Sequence, residues 1–180
     1  MNRRSRKPVE RSREEWYAFA REAVLRRLDD RARTRHELAD ALRGKEVPSD
    51  VAAAVLDRFE ELGLVDDADF ADQWVRSRQA SRGLSRRALS MELRRKGVDE
   101  ETIARSTAGV SEEDELEAAT RLAVTRIRAG RGVESTRLTR RVLAALARKG
   151  YSSQICWQAI RAAQRELGEE ETAQEGPEEI

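Results

Sequence analysis

Aromatic residues and proline are scarce in this 180-residue chain. Phenylalanine, tryptophan and tyrosine make up 4% of it, and proline occurs three times. So few large side chains cannot fill one deep hydrophobic core, and so little proline leaves long stretches able to form helices. Alanine, leucine, arginine and glutamate are abundant, and all four favour helices. We therefore expect a helical protein with several thin cores.

Cysteine and histidine occur once each, as Cys156 and His36. A single cysteine cannot form an internal disulfide, and the two side chains together cannot provide an ordinary zinc site. A phosphate-binding G-x-x-x-x-G-K-[ST] loop is also missing. We expect His36 to be a solvated helix residue and Cys156 to be a small buried one. The sequence thus predicts no catalytic site, metal or cofactor, and we expect the protein not to be an enzyme.

Long hydrophobic runs are missing as well. A helix needs about 20 consecutive apolar residues to cross a bilayer, and no stretch of this sequence approaches that length. Residues 1–13 are basic and lack the apolar segment of a secretory signal. We expect a cytoplasmic protein without a membrane partner.

The formal net charge of +1 hides an uneven distribution. Residues 166–180 contain seven glutamates and neither lysine nor arginine, so the rest of the chain has 35 basic and 27 acidic residues, a net charge of +8. We expect a basic helical body between two disordered ends, a basic arm at residues 1–13 and an acidic tail at residues 168–180.

The chain is organised around residues 63–78, GLVDDADFADQWVRSR. Gly63 has the position typical of the residue just past a helix end. Asp66, Asp67 and Asp69 follow where the partly positive N-terminus of a new helix would lie. The apolar residues that come next have helical spacing and are Phe70, Ala71, Trp74 and Val75. The stretch therefore predicts two helices separated by a sharp break.

Sequence on either side of this break repeats. Leu38, Leu89 and Val142 correspond at spacings of 51 and 53 residues, as do Leu42, Leu93 and Leu146, and Lys45, Lys96 and Lys149. Self-similarity at such a period is the signature of a repeat array. We predict an all-α protein, an elongated array of three tandem three-helix, helix-turn-helix-like repeats at residues 14–65, 66–110 and 111–167. The array would contain nine helices joined by short loops.

Capping residues and glycines predict the helix boundaries. Thr34 with Glu37, and Ser111 with Asp114, have the spacing of capping boxes, and Ser85 can cap a helix. We expect helices to end near Gly44, Gly63, Gly83, Gly97, Gly130 and Gly150, and the last one to end at about Leu167.

Cations cluster in two corresponding segments of the second and third repeats. Residues 72–96 contain eight cations against two acids, and residues 126–149 contain eight against Glu134 alone. Such clusters suit a phosphate backbone or an acidic protein groove, although a solvated face balanced by nearby acids is the alternative. We expect Trp16, Trp74 and Trp157 to be core residues, which leaves no platform for base stacking.

Residues 37–65 suggest a different function. The segment ELADALRGKEVPSDVAAAVLDRFEELGLV is similar to the winged-helix pattern of transcription regulators. In that fold the Gly-Leu-Val phrase leads into a two-stranded wing, whereas here it leads into a segment with helical periodicity. A DNA-binding transcription regulator of the helix-turn-helix type therefore remains the second interpretation, and a helical scaffold for another partner the third.

Three motifs resemble the RecX family of RecA regulators: residues 63–78, LSRRALSMELRRKGV at 84–98 and LARKGY at 146–151. Their order and spacing match those of the family, and the likeness extends over residues 14–167. The residues that carry the family motif in the first of these segments are Gly63, Leu64, Asp66, Asp67, Phe70, Ala71 and Trp74.

The resemblance implies a regulator, mainly an inhibitor, of the RecA recombinase. Such proteins bind the RecA–single-stranded DNA filament in its groove, limit its extension and lower its ATPase, strand-exchange and coprotease activities. The implied partners are the RecA nucleoprotein filament and single-stranded DNA, reached directly or through RecA. The implied setting is DNA repair, homologous recombination and the SOS response, and we expect a monomer.

The two cation clusters supply the candidate contacts with RecA or DNA. We expect a main contact face formed by Arg76, Arg78, Arg82, Arg86, Arg87, Arg94, Arg95 and Lys96. A secondary face would contain Arg140, Arg141, Arg148 and Lys149.

Overall fold

Nine α-helices follow one another in the computed structural model, which describes residues 11–130 and 132–174. The first repeat contains α1 (Arg13–Asp30), α2 (Arg35–Arg43) and α3 (Ser49–Glu61). The second contains α4 (Asp67–Arg82), α5 (Arg86–Arg95) and α6 (Glu100–Thr107). The third contains α7 (Glu112–Ala129), α8 (Ser135–Arg148) and α9 (Ser153–Gln174). The all-α class and the three tandem three-helix repeats are confirmed.

The break after residue 65 leads into a helix, not a wing. Within the described ranges the chain forms no strand, and α4 begins at Asp67. The Asp66 carboxylate accepts hydrogen bonds from the backbone N–H groups of Ala68 and Asp69, both at 2.9 Å. It therefore satisfies two of the free N–H groups in the first turn of α4. This part of the chain does not support the winged-helix interpretation.

Local capping sets the beginnings of several helices. The predicted capping boxes of Thr34 with Glu37 and of Ser111 with Asp114 are both formed. A third box joins Ser12 to Glu15 at the start of α1. We did not predict it, although the sequence Ser-Arg-Glu-Glu contains the S-x-x-E pattern that defines such a box.

Residues at equivalent positions of the three repeats are buried. Leu38, Leu89 and Val142 are at most 1% exposed, and Leu42, Leu93 and Leu146 are fully covered. Residues four apart lie on the same helix face, so each pair directs one side of its helix inward. The repeat correspondence read from the sequence is therefore also a correspondence of core positions.

The chain divides into two compact units, one of Met1–Phe70 with Lys96–Val98 and one of Ala71–Arg95 with Asp99–Ile180. The core of the first unit comes from α1, α2 and α3 and the loops that join them; its largest residues are Leu38, Leu42, Leu56 and Phe59. In the second unit, α7, α8 and α9 form a core rich in alanine, which lets helices approach closely. Its buried residues include Ala119, Ala123, Ala159 and Ala163.

Equivalent turns after the second helix of each repeat contain one residue with positive φ. The residue is Gly97 (φ 76°) in the second repeat and Gly150 (φ 89°) in the third. In the first repeat it is Glu46 (φ 61°). Helix α2 ends at Arg43 with Gly44 as its C-cap, as predicted; Gly44 has a φ of −64°, and the left-handed residue follows two positions later. The left-handed conformation disfavours residues with a Cβ, so Glu46 is strained.

Gly97 and Gly150 are also sites of close packing. A Cβ atom on Gly97 would lie 2.2 Å from Cγ of His36, and one on Gly150 would lie 2.4 Å from Oγ of Ser85. His36 itself is half exposed, and its Nε2 lies 3.3 Å from the Asp40 carboxylate. Glycine is therefore required at both turns for its conformation and for its lack of a side chain.

The last helix is longer than the sequence indicated. We expected α9 to end at about Leu167 and a disordered tail to begin at residue 168, but α9 continues to Gln174. The added residues are mainly glutamate, alanine and glutamine, which favour helices, and the next glycine–proline pair comes only at residues 176–177. Residues 1–10 and 175–180, which hold most of the predicted arm and the end of the tail, lie outside the described residues.

A buried polar cluster closes the first unit. The Thr34 hydroxyl, which is fully covered, donates a hydrogen bond to the Lys96 carbonyl at 2.6 Å. The Lys96 ammonium donates to Glu37 at 2.8 Å. Burial alone would raise the pKa of Glu37, but hydrogen bonds from Lys96 and from the Thr34 amide outweigh it and hold that pKa below its usual value. The charged form of Glu37 therefore stabilises the folded chain.

Replacing Glu46 with glycine is expected to stabilise the first unit. Glycine adopts φ near 60° without the steric cost that glutamate carries, and we expect a gain of about 1 kcal/mol in the free energy of unfolding. Urea denaturation measures it. As a matched control, Gly63→Ala introduces a Cβ at φ 66°, where nothing lies within 4 Å, and should cost a similar amount. An unchanged midpoint for Glu46→Gly would contradict the assigned strain.

Replacing Glu37 with glutamine tests the Lys96 ion pair through pH. Glutamine keeps the shape and the capping acceptor but has no charge. Because the pKa of Glu37 is lowered on folding, its stabilising effect is complete above about pH 5 and disappears as the pH falls through the lowered folded-state value. Urea denaturation of both chains at several pH values should therefore show a stability difference at neutral pH that vanishes in acid. A difference that stays constant with pH would show that the charge is not involved.

Candidate functional site

Two of the predicted contact arginines, Arg78 and Arg82, lie beside one carboxylate. Glu92 of α5 accepts a hydrogen bond from Nε1 of Trp74 at 2.9 Å. The Arg78 guanidinium lies 4.0 Å from the centroid of the Trp74 ring and 3.3 Å from Glu92, and Arg82 lies 4.0 Å from Glu92. Arg78 thus combines a cation–π contact with an ion pair and is mostly covered. Its role is to fasten α4 to α5.

Three other predicted contact residues have partners inside the chain. Arg94 forms an ion pair with Glu100, and the hydrogen bonds from Arg94 lower the pKa of Glu100. The Lys96 side chain is 14% exposed and is paired with Glu37. The Lys149 ammonium donates to the carbonyl of Arg82 at 2.5 Å. That carbonyl belongs to the last residue of α4, where a helix has free acceptors and a partial negative charge. Lys96 and Lys149 therefore have structural roles within the chain.

The structure brings Arg148 of the predicted secondary face beside two arginines of the main face. Arg87, Arg95 and Arg148 line one groove between α5 and the end of α8, with Met91 among the residues between them. All three arginines are exposed, and none forms an ion pair within the described ranges. We call this groove, with its three arginines and Met91, the α5–α8 surface. Glu92 is its acidic lining residue.

The turn that follows α8 positions this surface. The Lys149 carbonyl accepts a hydrogen bond from the Ser85 amide at 3.0 Å, and the Tyr151 hydroxyl donates to the Gly83 carbonyl at 2.8 Å. Burial raises the pKa of Tyr151 to about 12, so the hydroxyl stays protonated and remains a donor at neutral pH. Gly150 packs against Ser85 and thereby holds the end of α8 close to the start of α5.

The remaining predicted cations lie elsewhere. Arg86 lines a neighbouring groove with Arg87 and Arg94, but Glu112 and Glu115 share that groove, and the Arg86 amide donates to Glu115 at 2.7 Å. Arg76, Arg140 and Arg141 are exposed, and the lining of the α5–α8 surface includes none of them. The cations of the two predicted faces therefore form three groups. Some have partners inside the chain, others are exposed at separate places, and Arg87, Arg95 and Arg148 line one groove.

The motif at residues 63–78 has a structural role. Gly63 has φ 66° just after α3, and Phe70 and Ala71 are buried. An oxygen of the Asp67 carboxylate accepts a hydrogen bond from the amide of Arg35, the first residue of α2, at 2.8 Å. Leu64 is the exception, because half of its surface is exposed. The motif thus caps the N-terminus of α4, and its Asp67 also accepts a hydrogen bond from the first backbone amide of α2.

Residues that could suggest catalysis have ordinary surroundings. Cys156 is buried, and burial raises the pKa of its thiol, which disfavours the reactive thiolate. The residues described by the structure contain no group of His, Cys, Asp and Glu side chains arranged to hold a metal, and none of their helices is long and apolar enough for a bilayer.

One expectation about the tryptophans is wrong. Trp16 and Trp74 are partly buried, and each has a cation beside its ring. Trp157, in contrast, is 45% exposed, because the buried face of α9 is formed by its neighbours Ile155, Cys156, Ala159 and Ile160. The helical period places residue 157 on the opposite side.

These features define a helical-repeat protein with three tandem three-helix domains. The family models for the RecX first, second and third three-helix domains match residues 20–59, 66–106 and 112–160 in turn. The chain belongs to the RecX family of regulatory proteins.

Individual relatives agree with this assignment. Regulatory protein RecX of Thermobifida fusca (strain YX) is 48% identical over 148 residues, which cover 82% of this chain and 80% of the relative. The protein of the same description from Amycolatopsis mediterranei (strain U-32) is 41% identical over 165 residues, or 92% of this chain and 94% of the relative. The crystal structure of RecX from Lactobacillus salivarius has a TM-score of 0.74 at 20% identity, covering 84% of this chain and 98% of that one, and it supports the fold.

Truncating Trp74 to alanine is expected to destabilise the second unit by about 2 kcal/mol. Full burial would give a larger loss of about 3–5 kcal/mol, but the ring is only partly buried. Trp74→Phe keeps a ring under Arg78 and loses the bond to Glu92, which should cost about 1 kcal/mol. Urea denaturation of both variants tests this order. Equal losses for alanine and phenylalanine would mean that the ring itself contributes little.

Proposed function

We propose that this protein regulates RecA, mainly as an inhibitor, by binding the RecA–single-stranded DNA filament in its groove through the α5–α8 surface. The observation that carries the proposal is the convergence of Arg87, Arg95 and Arg148 from two repeats in one groove. Family membership supports a regulatory role, since the relatives are described as regulatory proteins. The protein would act as a monomer in the cytoplasm, with no cofactor.

The charge of the surface fits such a target. Exposed guanidinium groups without internal acidic partners are free to pair with phosphates or with carboxylates of a protein, and arginine does so with two parallel hydrogen bonds. A filament that carries DNA presents many phosphates along its groove. The attraction is screened by salt over about 8–10 Å, so binding should weaken as ionic strength rises.

The surface also has an apolar component suited to a protein partner. Met91 is 41% exposed, and Leu84 and Ala88 line the same groove. Methionine is flexible and polarisable and adapts to irregular partner surfaces. Cations around such a residue resemble the polar rim and apolar centre of protein interfaces. The combination favours contact with RecA itself as well as with its DNA.

Binding through several repeats would limit filament extension. If the second and third repeats contact adjacent RecA protomers, each contact raises the effective concentration of the other, and the protein bridges the growing lattice. A bridging protein would then oppose the addition and rearrangement of protomers. Lower ATPase, strand-exchange and coprotease activities would follow from fewer or less active filaments.

Hydrolysis of ATP by RecA on single-stranded DNA tests the proposal. The protein is titrated at concentrations well below that of RecA, and a fall in rate is expected. The triple variant R87E/R95E/R148E should be at least about 10-fold less potent, because three attractions become repulsions. A matched control, R21E/R31E/R126E, changes the net charge equally at exposed arginines outside the surface and should stay within about 2-fold of the parent.

The possible outcomes distinguish a wrong assignment of the contact surface from a wrong assignment of the function. If the parent inhibits and both triple variants lose potency equally, net charge matters and the α5–α8 surface is not the contact. If the parent has no effect on RecA, the proposed function is wrong. Circular dichroism of all three chains, with equal helical content, shows that the comparison is between folded proteins.

A further inference from the structure

A groove lined mainly by apolar side chains lies between α1 and α3 of the first unit. Leu25, Phe59, Leu62 and Leu64 line it together with Arg21 and Arg58, and none of its lining residues is acidic. Leu25, Leu62 and Leu64 are 37%, 53% and 51% exposed, and they are three of the five large hydrophobic side chains that the described part of the chain leaves exposed. Single exposed apolar side chains are ordinary, but a cluster of them marks a contact surface.

Arginines and apolar residues alternate along the walls of this groove. On α1, Arg21 lies midway between Tyr17 and Leu25, four residues from each. On the other wall, Arg58 precedes Leu62, the C-cap residue of α3, by the same four residues. Because residues four apart share one helix face, the α1 wall extends over about two turns, or about 12 Å, with a guanidinium group at its middle.

Both arginines are available to an external carboxylate. Arg21 is exposed and forms no ion pair within residues 11–130 and 132–174. Arg58 pairs with Glu61, three residues further along the chain, at 2.9 Å, but both of these side chains are largely exposed. An exposed pair of this kind is weak and is readily exchanged for another carboxylate. The groove therefore combines apolar surface with positive charge that its own lining does not neutralise.

We propose that the groove between α1 and α3 binds an acidic amphipathic helix of another protein. The apolar side chains of that helix, spaced i, i+4 and i+7, pack on the exposed leucines, and the carboxylates beside them pair with Arg21 and Arg58. A helix placed in an apolar groove is a common mode of peptide recognition, and its apolar stripe covers the same two turns as the wall. The α5–α8 surface shares none of these residues, so the inference goes beyond the proposed function.

The charge of the groove disfavours a second copy of this chain as the occupant. A two-fold interface places the same surface on both sides, which brings Arg21 and Arg58 of one copy near those of the other, and like charges in that position oppose association. The chain's own acidic residues 169–180 contain one large apolar side chain, Ile180, and so lack the apolar stripe that the groove requires. A separate acidic helix provides both the charge and the stripe.

Fluorescence anisotropy of a labelled synthetic peptide tests the proposal with the full chain and without RecA. The probe has about 18 residues, enough to form a helix, with leucine at i, i+4 and i+7 and glutamate at the flanking positions. Two matched peptides replace all its glutamates with lysine or its three leucines with serine. The parent chain should bind the glutamate peptide at least about 10-fold more tightly than either of the other two.

Leu62→Ser should weaken binding of the glutamate peptide about 4- to 12-fold, because about half of this side chain is available for burial by the peptide. The residue is exposed, so the variant should fold, and circular dichroism with equal helical content checks this. Trp157→Ser removes an exposed apolar side chain outside the groove and is the matched control, which should bind as the parent does.

Reversing the charge of the groove should reverse its preference. The double variant R21E/R58E should bind the lysine peptide more tightly than the glutamate peptide. The control R31E/R126E makes the same change of net charge at exposed arginines outside the groove and should keep the preference of the parent.

Equal binding of the glutamate and lysine peptides by the parent, or an unchanged affinity in Leu62→Ser, would overturn the proposal. So would self-association of the parent, measured by sedimentation, that Leu62→Ser abolishes, because the groove would then be an interface between copies. In the ATPase titration Leu62→Ser should inhibit RecA as the parent does; a loss of potency would assign the groove to the filament contact instead of to a separate partner. Peptide binding is measured without RecA, so a failure of this proposal and a failure of the proposed function are distinguishable.

Discussion

Two buried polar residues, Thr34 and Ser85, determine where the later Lys-Gly turns lie. They occupy equivalent positions just before the second helix of their repeats. The Thr34 hydroxyl donates to the carbonyl of Lys96, and the Ser85 amide donates to that of Lys149. A buried polar group without a partner costs about 1–3 kcal/mol, so each turn is held at one position. Within the second unit, the location of Arg148 beside α5 follows from this constraint.

The α5–α8 surface contains predicted contact arginines that have no ion-pair partner in the described part of the chain, whereas several of the other predicted cations are held by internal contacts. Arg78 covers Trp74, Arg94 pairs with α6 and Lys149 completes the end of α4. Because each of these cations has a partner inside the chain, it is less available to bind an external anion. Arg87, Arg95 and Arg148 remain available. Glu92 lies between the two groups, since it binds Trp74 and Arg78 and also lines the groove of the exposed arginines. The strength of the positive field at the α5–α8 surface therefore depends on how completely Arg78 and Arg82 of α4 neutralise the charge of Glu92.

Helix positions and core residues followed from the sequence because their causes are local. Capping boxes join residues three apart, and the apolar faces have the period of the helix itself. The roles of the cations could not be read in this way. Lys149 and its acceptor are 67 residues apart, and Trp74 and Glu92 are 18 apart, so their pairing depends on the fold. Trp157 was misplaced for another reason. Its neighbours already complete the apolar face, and the sequence does not show which of several adjacent apolar residues turns outward.

The left-handed turns also show which repeats have another segment pressed against them. Gly97 and Gly150 leave no room for a side chain because His36 and Ser85 lie against them, whereas the first repeat tolerates Glu46. In this chain, glycine occupies this position in the two repeats whose turns pack against an earlier segment. The exposed Glu46 occupies it in the first repeat. In other arrays of the same three-helix domain, this one position of the sequence would distinguish a repeat whose turn packs against an earlier segment from one whose turn does not.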